Sequence, residues 1–216
     1  MKLLKKELRL CLHPTAYLMP LLSALILVPN YPYTVSCFYV TLSIFFICLS
    51  ARENHDAAYT LSLPVARKDA VKGRVLLSCC VETAQMLLLA VFLFLKSKIG
   101  YEQNAAGMDA NLALLGEAFL VYGLFHLLFF PRLYRDLNQV GKAFAVASCA
   151  VFLYIVLSVV FTYAVPFVRD TLDTPDPEHQ TEKLLFTAAC AVFYAAATVL
   201  SVRVSIKRFE QMDLQL

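Results

Sequence analysis

The chain has 216 residues, 60% of them hydrophobic and only 16% charged, with a formal net charge of +3. That apolar share is above, and the charged share below, those of soluble domains, so an ordinary soluble enzyme or a basic nucleic-acid-binding module is excluded. The charges cluster and leave six apolar windows, at roughly Thr15–Val28, Thr34–Ser50, Val75–Leu95, Leu112–Phe130, Ala143–Phe167 and Leu184–Val202. Each is a candidate to cross a hydrocarbon core about 30 Å thick. The expected fold is therefore an all-α polytopic membrane protein of six spans forming one transmembrane domain over residues 1–216.

Met1–Leu12, MKLLKKELRLCL, comes first. Leu3, Leu4, Leu8, Cys11 and Leu12 fall on one helical face, with Lys2, Lys5, Lys6 and Arg9 elsewhere. This pattern predicts an amphipathic helix lying in the membrane interface, as a topology anchor, an elbow or both. His13-Pro14 ends it. The first window is short and carries Pro20, and no small-residue cleavage site follows it, so it reads as a retained span and not as a signal peptide. Pro29-Asn30-Tyr31-Pro32-Tyr33 suits a tight turn at an interface, where aromatic rings settle.

The segment Arg52–Arg74, RENHDAAYTLSLPVARKDAVKGR, is a charged island between two apolar windows. A simple reversal needs only about five residues, so the island reads as a docking surface for a soluble partner. Pro64 breaks the backbone, and Val65–Arg74 can form a short helix after it. Glu53, Asn54, His55 and Asp56 are consecutive, so on a helix they cannot converge on one ion; a solvated or capping role is expected.

Three ionisable residues fall within the later windows: Glu82, Glu117 and His126. Burying such groups in lipid is costly, which makes each a functional candidate. Glu82 and Glu117 are candidates to line a substrate pathway, with Glu82 otherwise paired to a neighbour such as Gln85 or a basic loop residue. Glu117 and His126 are nine positions apart on one helix, about 900° of rotation, and so point in opposite directions. No proton relay of paired charges is expected, and His126 reads as a hydrogen-bonded interior residue. In the last window Ala188, Ala191 and Ala195 form a small-residue face, expected to pack within the chain.

Lys and Arg set the orientation. With the N-terminus cytoplasmic, the outside keeps only Lys96, Lys98, Arg169 and Lys183 of the 19 basic residues. Both termini are then expected inside. All 7 cysteines (Cys11, Cys37, Cys48, Cys79, Cys80, Cys149, Cys190) fall in or near spans and outside the two long outer loops, so they read as apolar packing residues. No catalytic motif, metal spacing or Gly-rich phosphate loop occurs; with 6 glycines and only Lys72-Gly73-Arg74 as a basic Gly turn, ATP binding would need a second polypeptide.

The order Glu53, Ser62-Leu63-Pro64, Arg67-Lys68, Val71 and Arg74, placed between the second and third windows behind an amphipathic N-terminal segment, resembles the short permease subunits of the type-2 ABC exporters. The likeness covers the whole chain in topology and about Glu53–Arg74 in motif. The chain departs from the family pattern at Ala66, where Ser is common, which bears on helix capping or docking. The resemblance implies that Leu61, Ser62, Leu63, Pro64, Arg67, Lys68 and Asp69 couple the chain to a separate ABC ATPase subunit, which would bind ATP and Mg; no cofactor is expected in this chain. It also implies a pore of two permease subunits, identical or paralogous, in the plasma membrane, and a substrate drawn from peptides, antibiotics or lipids. The rival reading is an ATP-independent secondary transporter or channel, which would favour paired intramembrane charges and Gly- or Pro-broken helices at mid-membrane.

Overall fold

The computed structural model describes residues 2–100 and 103–212. Among these the main elements are α1 (Lys2–Leu10), α2 (Thr15–Leu21) running on into a 3-10 helix (Leu22–Leu27), α3 (Val35–Glu53), α4 (Asp56–Ser62), α5 (Arg67–Ile99), α6 (Leu112–Leu133), α7 (Val140–Ala164) and α8 (Gln180–Glu210). Five of these, α3, α5, α6, α7 and α8, are long and apolar enough to cross a membrane.

The first apolar window is the exception among the six. Pro20 lies inside α2, and the chain then tightens into the 3-10 stretch. The two pieces together rise only about 22 Å. With the link from Cys11, this segment lies beside α5 between Arg74 and Lys96. Cys11, just before α2, receives Arg74 Nη2 at 3.5 Å, while the carbonyl of Ile26, near the end of the 3-10 stretch, accepts a hydrogen bond from Lys96 Nζ at 2.9 Å.

No separate short helix follows Pro64. The helix that starts at Arg67 continues unbroken to Ile99, because Val71, Gly73, Arg74 and Val75 are buried and nothing between Arg67 and the apolar window interrupts the helical hydrogen bonding. The short helix of the island is α4, which precedes Pro64 and is entered through His55 in the left-handed region (φ 49°). Ala66 occupies the N-cap of α5 in extended conformation, and no side chain caps the helix. Ala66→Ser should supply the missing acceptor and raise stability by about 1 kcal/mol, seen as a higher thermal midpoint of the detergent-solubilised protein.

Of the five long helices α6 is the most buried and α8 the least. α8 packs on α6 through two glycines one heptad apart. A Cβ at Gly116 would lie 2.8 Å from the Phe186 ring, and one at Gly123 would lie 2.8 Å from the Phe193 ring. The matched seven-residue steps keep both contacts on one seam, as in left-handed helix pairs. The expected alanine face of α8 is not this seam. Ala188 and Ala195 stay exposed and Ala191 is half-buried, since the glycines of α6 draw the phenylalanine side of α8 inward instead.

Both described ends of the chain sit at one end of the bundle, here the basic end. Glu7 pairs with Arg74, and Arg67 Nη1 donates to Phe209 O at 2.8 Å and Met212 O at 2.7 Å. The opposite end is closed by hydrogen-bonded loops. Asp173 Oδ1 accepts the Asp109 N–H at 2.6 Å, Asp176 Oδ2 accepts that of Leu112 at 2.9 Å, and the Asn111 side chain donates to Leu172 O at 2.7 Å. The loop between α7 and α8 is thus tied down and includes a π-helical turn at Val168–Leu172.

Burial, with Asp109 and Glu117 nearby, pushes the Asp173 carboxyl up to about 7 against the opposing Asp109 N–H and Lys183. A carboxyl raised above its unfolded value of about 3.9 holds its proton in the folded state through that window, so stability falls as pH rises from about 4 to about 7 and is flat above it. Asp173→Asn keeps the acceptor and removes the charge. The variant should lose most of this slope, gaining stability at pH 8 and none at pH 4, in thermal unfolding across pH.

Candidate functional site

At the basic end α1, α4 and α5 meet on a buried guanidinium. Arg74 Nε lies 2.8 Å from Glu7 Oε2, and Arg74 Nη2 lies 2.8 Å from Asp56 Oδ2. Lys6 Nζ completes the group at 2.5 Å from Asp56 and 3.2 Å from Glu7, and donates to Thr60 Oγ1 at 2.6 Å. Burial of the Lys6 ammonium opposes its charge, but the Asp56 hydrogen bond and the two carboxylates outweigh this and hold its pKa above the ordinary lysine value. Asp56 is therefore neither a solvated residue nor a helix cap; it is an ion-pair partner, because the left-handed turn at His55 brings the start of α4 to where Asp56 reaches Arg74.

α1 docks through Leu4, Glu7, Cys11 and Leu12, while Leu8 is exposed. The expected apolar face is thus split, with Glu7 taking a place in it. The side chain of Leu3 lies outside the described residues. Glu7 escaped notice in the sequence, although a single acid among Lys5, Lys6 and Arg9 is itself a sign that one position faces a buried cation. Beside this cluster is a cavity of about 710 Å³ whose walls include Arg52, His55, Asp56, Arg74, Arg135 and Asp136. Glu82 and Glu117 do not line it.

The island residues divide by exposure. Ser62, Leu63, Pro64 and Lys68 are exposed, as is Tyr59 of α4; Leu61 and Asp69 are half-buried. Arg67 is also half-buried and already engaged, its guanidinium closing the C-terminal carbonyls of α8 and stacking 5.6 Å from the Phe209 ring centroid. Cations belong at such a helix end.

A second polar seam lies inside the bundle, along the face of α5 that carries Arg74, Ser78, Glu82 and Gln85, all buried. Glu82 pairs with neither Gln85 nor a basic loop residue. Its Oε2 accepts from Tyr194 Oη of α8 at 2.6 Å, and its Oε1 faces His126 Nε2 of α6 at 2.8 Å. The expectation that the intramembrane charges do not pair is corrected here. Spacing along one helix excludes a Glu117–His126 pair, but the antiparallel neighbour α5 brings Glu82 to His126. His126 is a fully buried interior residue, with Nδ1 2.9 Å from Thr198 Oγ1. Gln85 Oε1 accepts from Tyr122 Oη at 2.6 Å. Glu117, also buried, accepts from Thr34 Oγ1 at 2.7 Å.

The cysteines are not uniform packing residues. Cys11, Cys37, Cys48 and Cys190 are buried, and Cys80 and Cys149 are exposed. Cys79 is half-buried, with its Sγ within 4.8 Å of the facing ligand atoms of Glu82 and His126.

Long apolar helices enclosing buried polar clusters define a multi-pass α-helical membrane protein. The family model of the ABC-2 family transporter protein matches residues 2–210, and the chain belongs to that family. It is thus a membrane permease component of an ABC-type transporter, a role that implies association with an ABC ATPase. Neither the curated proteins nor the solved structures contain a significant match to it.

Proposed function

We propose that this chain is the membrane subunit of an ATP-driven exporter, working as a dimer in the plasma membrane with the basic end and both termini cytoplasmic. Residues 11–27 then serve as a sixth crossing beside α5, made possible by the greater rise per residue of the 3-10 stretch. α1 is the elbow at the inner interface. A separate ATPase docks on Leu61–Asp69, where ATP and Mg stay with the partner. The observation that carries this reading is the exposed corner Tyr59, Ser62, Leu63 and Pro64, mounted at the start of the unbroken α5. An exposed apolar corner on an otherwise charged face suits a protein partner. Glu82 and Glu117 belong to the candidate substrate pathway; both are buried and internally bonded, so substrate would reach them only as the helices part.

Leu63→Asp combined with Pro64→Ala alters only exposed residues. The double variant should insert and fold normally but lose its ATPase on mild-detergent purification, together with transport. Retention of the ATPase at wild-type stoichiometry would defeat the docking assignment. The ATP-independent reading gains the Glu82–His126 pair, a feature it looks for. Membership in a family of ABC transporter components weighs against it.

A further inference from the structure

Among the described residues, Cys79, Glu82 and His126 bring one thiol, one carboxylate oxygen and one imidazole nitrogen within 4.8 Å of one another in the bundle interior. Cys79 and Glu82 are three apart on α5 and so share a face; His126 comes from the antiparallel α6. Glu82 is 1% exposed and His126 fully buried. His126 Nε2 and Glu82 Oε1 face each other at 2.8 Å as an ion-pair contact, without the alignment of a hydrogen bond. The opposite atom of each group is held: His126 Nδ1 by Thr198, and Glu82 Oε2 by Tyr194. Such outer partners fix the ring and the carboxylate of a metal ligand in orientation.

We propose that Cys79, Glu82 and His126 form a binding site for a divalent transition-metal ion of the zinc type, with Thr198 and Tyr194 orienting two of the ligands. A thiolate, an imidazole and a carboxylate are the donor set that a borderline-soft ion selects, and three protein ligands leave a fourth position open. Bonds of about 2.0–2.3 Å place tetrahedral ligand atoms about 3.3–3.7 Å apart. The ion therefore draws Cys79 Sγ inward and parts Glu82 from His126 by about half an ångström. Binding releases the thiol proton to solvent, and no oxidant or reductant takes part. The site ties α5 to α6 directly and to α8 through its outer partners. It stands independently of the exporter reading, since it rests on side-chain geometry alone.

The test is Co²⁺ titration of the purified chain in detergent, followed by its thiolate-to-cobalt charge-transfer absorption, with Zn²⁺ as competitor. The wild type should bind one ion per chain, show the band and lose it to Zn²⁺. Cys79→Ser should abolish the band, while Cys80→Ser, the exposed neighbour, should leave it intact. Tyr194→Phe keeps the ligands and should weaken Co²⁺ binding about 10–100-fold. A wild type with no charge-transfer band, or a band that survives Cys79→Ser, would overturn the proposal and leave Glu82 and His126 as a plain acid–base pair.

Discussion

Arg74→Met is expected to destabilise the protein by about 3 kcal/mol, near the lower end of the cost of breaking a buried ion pair from one side. The guanidinium neutralises Glu7 and Asp56 together, and Glu7 is 2% exposed. Methionine fills much of the volume but leaves Glu7 facing only Lys6, at 3.2 Å. That remaining contact is why the cost stays at the low end. Detachment of α1 should accompany the loss, and limited trypsin cleavage at Lys5 and Arg9, both exposed, reads it directly. Combining Arg74→Met with Glu7→Leu removes both buried charges and should recover most of the stability, because well-packed apolar replacements of an ion pair are close to neutral. If the single variant melts like the wild type and α1 resists trypsin equally, the cluster does not hold the elbow.

The second large effect is expected at Gly123. Its added Cβ would lie 2.8 Å from the Phe193 ring and 3.3 Å from the Tyr194 Cα. Phe193 is 40% exposed, so its ring can swing outward and Gly123→Ala should cost less than about 1 kcal/mol. Gly123→Val sends two further methyl groups toward the backbone of α8, and overpacking of this kind costs about 1–3 kcal/mol or more. Relief comes from moving α8 outward, which draws Tyr194 away from Glu82. A double-mutant cycle detects that displacement. Tyr194→Phe should destabilise the wild type and add nothing in the Gly123→Val background. Full additivity of the two substitutions would show that the seam yields elsewhere.

Much of the architecture is legible in the sequence because a hydrocarbon core imposes one strong signal, the length of an apolar run. α3, α6 and α7 fall where their windows predict, while α8 starts four residues before its window and ends eight after it. α5 begins eight residues before its window because the helix expected after Pro64 does not end at Arg74 but runs on into the span, turning Val71 and Arg74 inward. Pro64 marks a true break. The cluster at Arg74 and the contact of Glu82 with His126 were not legible for a different reason. Each depends on the lateral register of separate helices, which spacing along one helix does not encode. Ala66 shows the converse, since its missing cap was visible as a departure from a serine and its place at the first turn of α5 gives that departure a physical meaning.

The length of α5 has a mechanical consequence. Its 33 residues contain no proline and form a rod about 50 Å long. Each end is moored to a different part of the chain. Arg67 holds the C-terminus of α8, and Lys96 holds Ile26 O and, at 2.5 Å, the Tyr33 hydroxyl. A stiff lever pivoting near its middle by about 5° carries its ends about 2 Å in opposite senses. A displacement of the Arg67 end of α5 would therefore appear at the Lys96 end in the opposite direction.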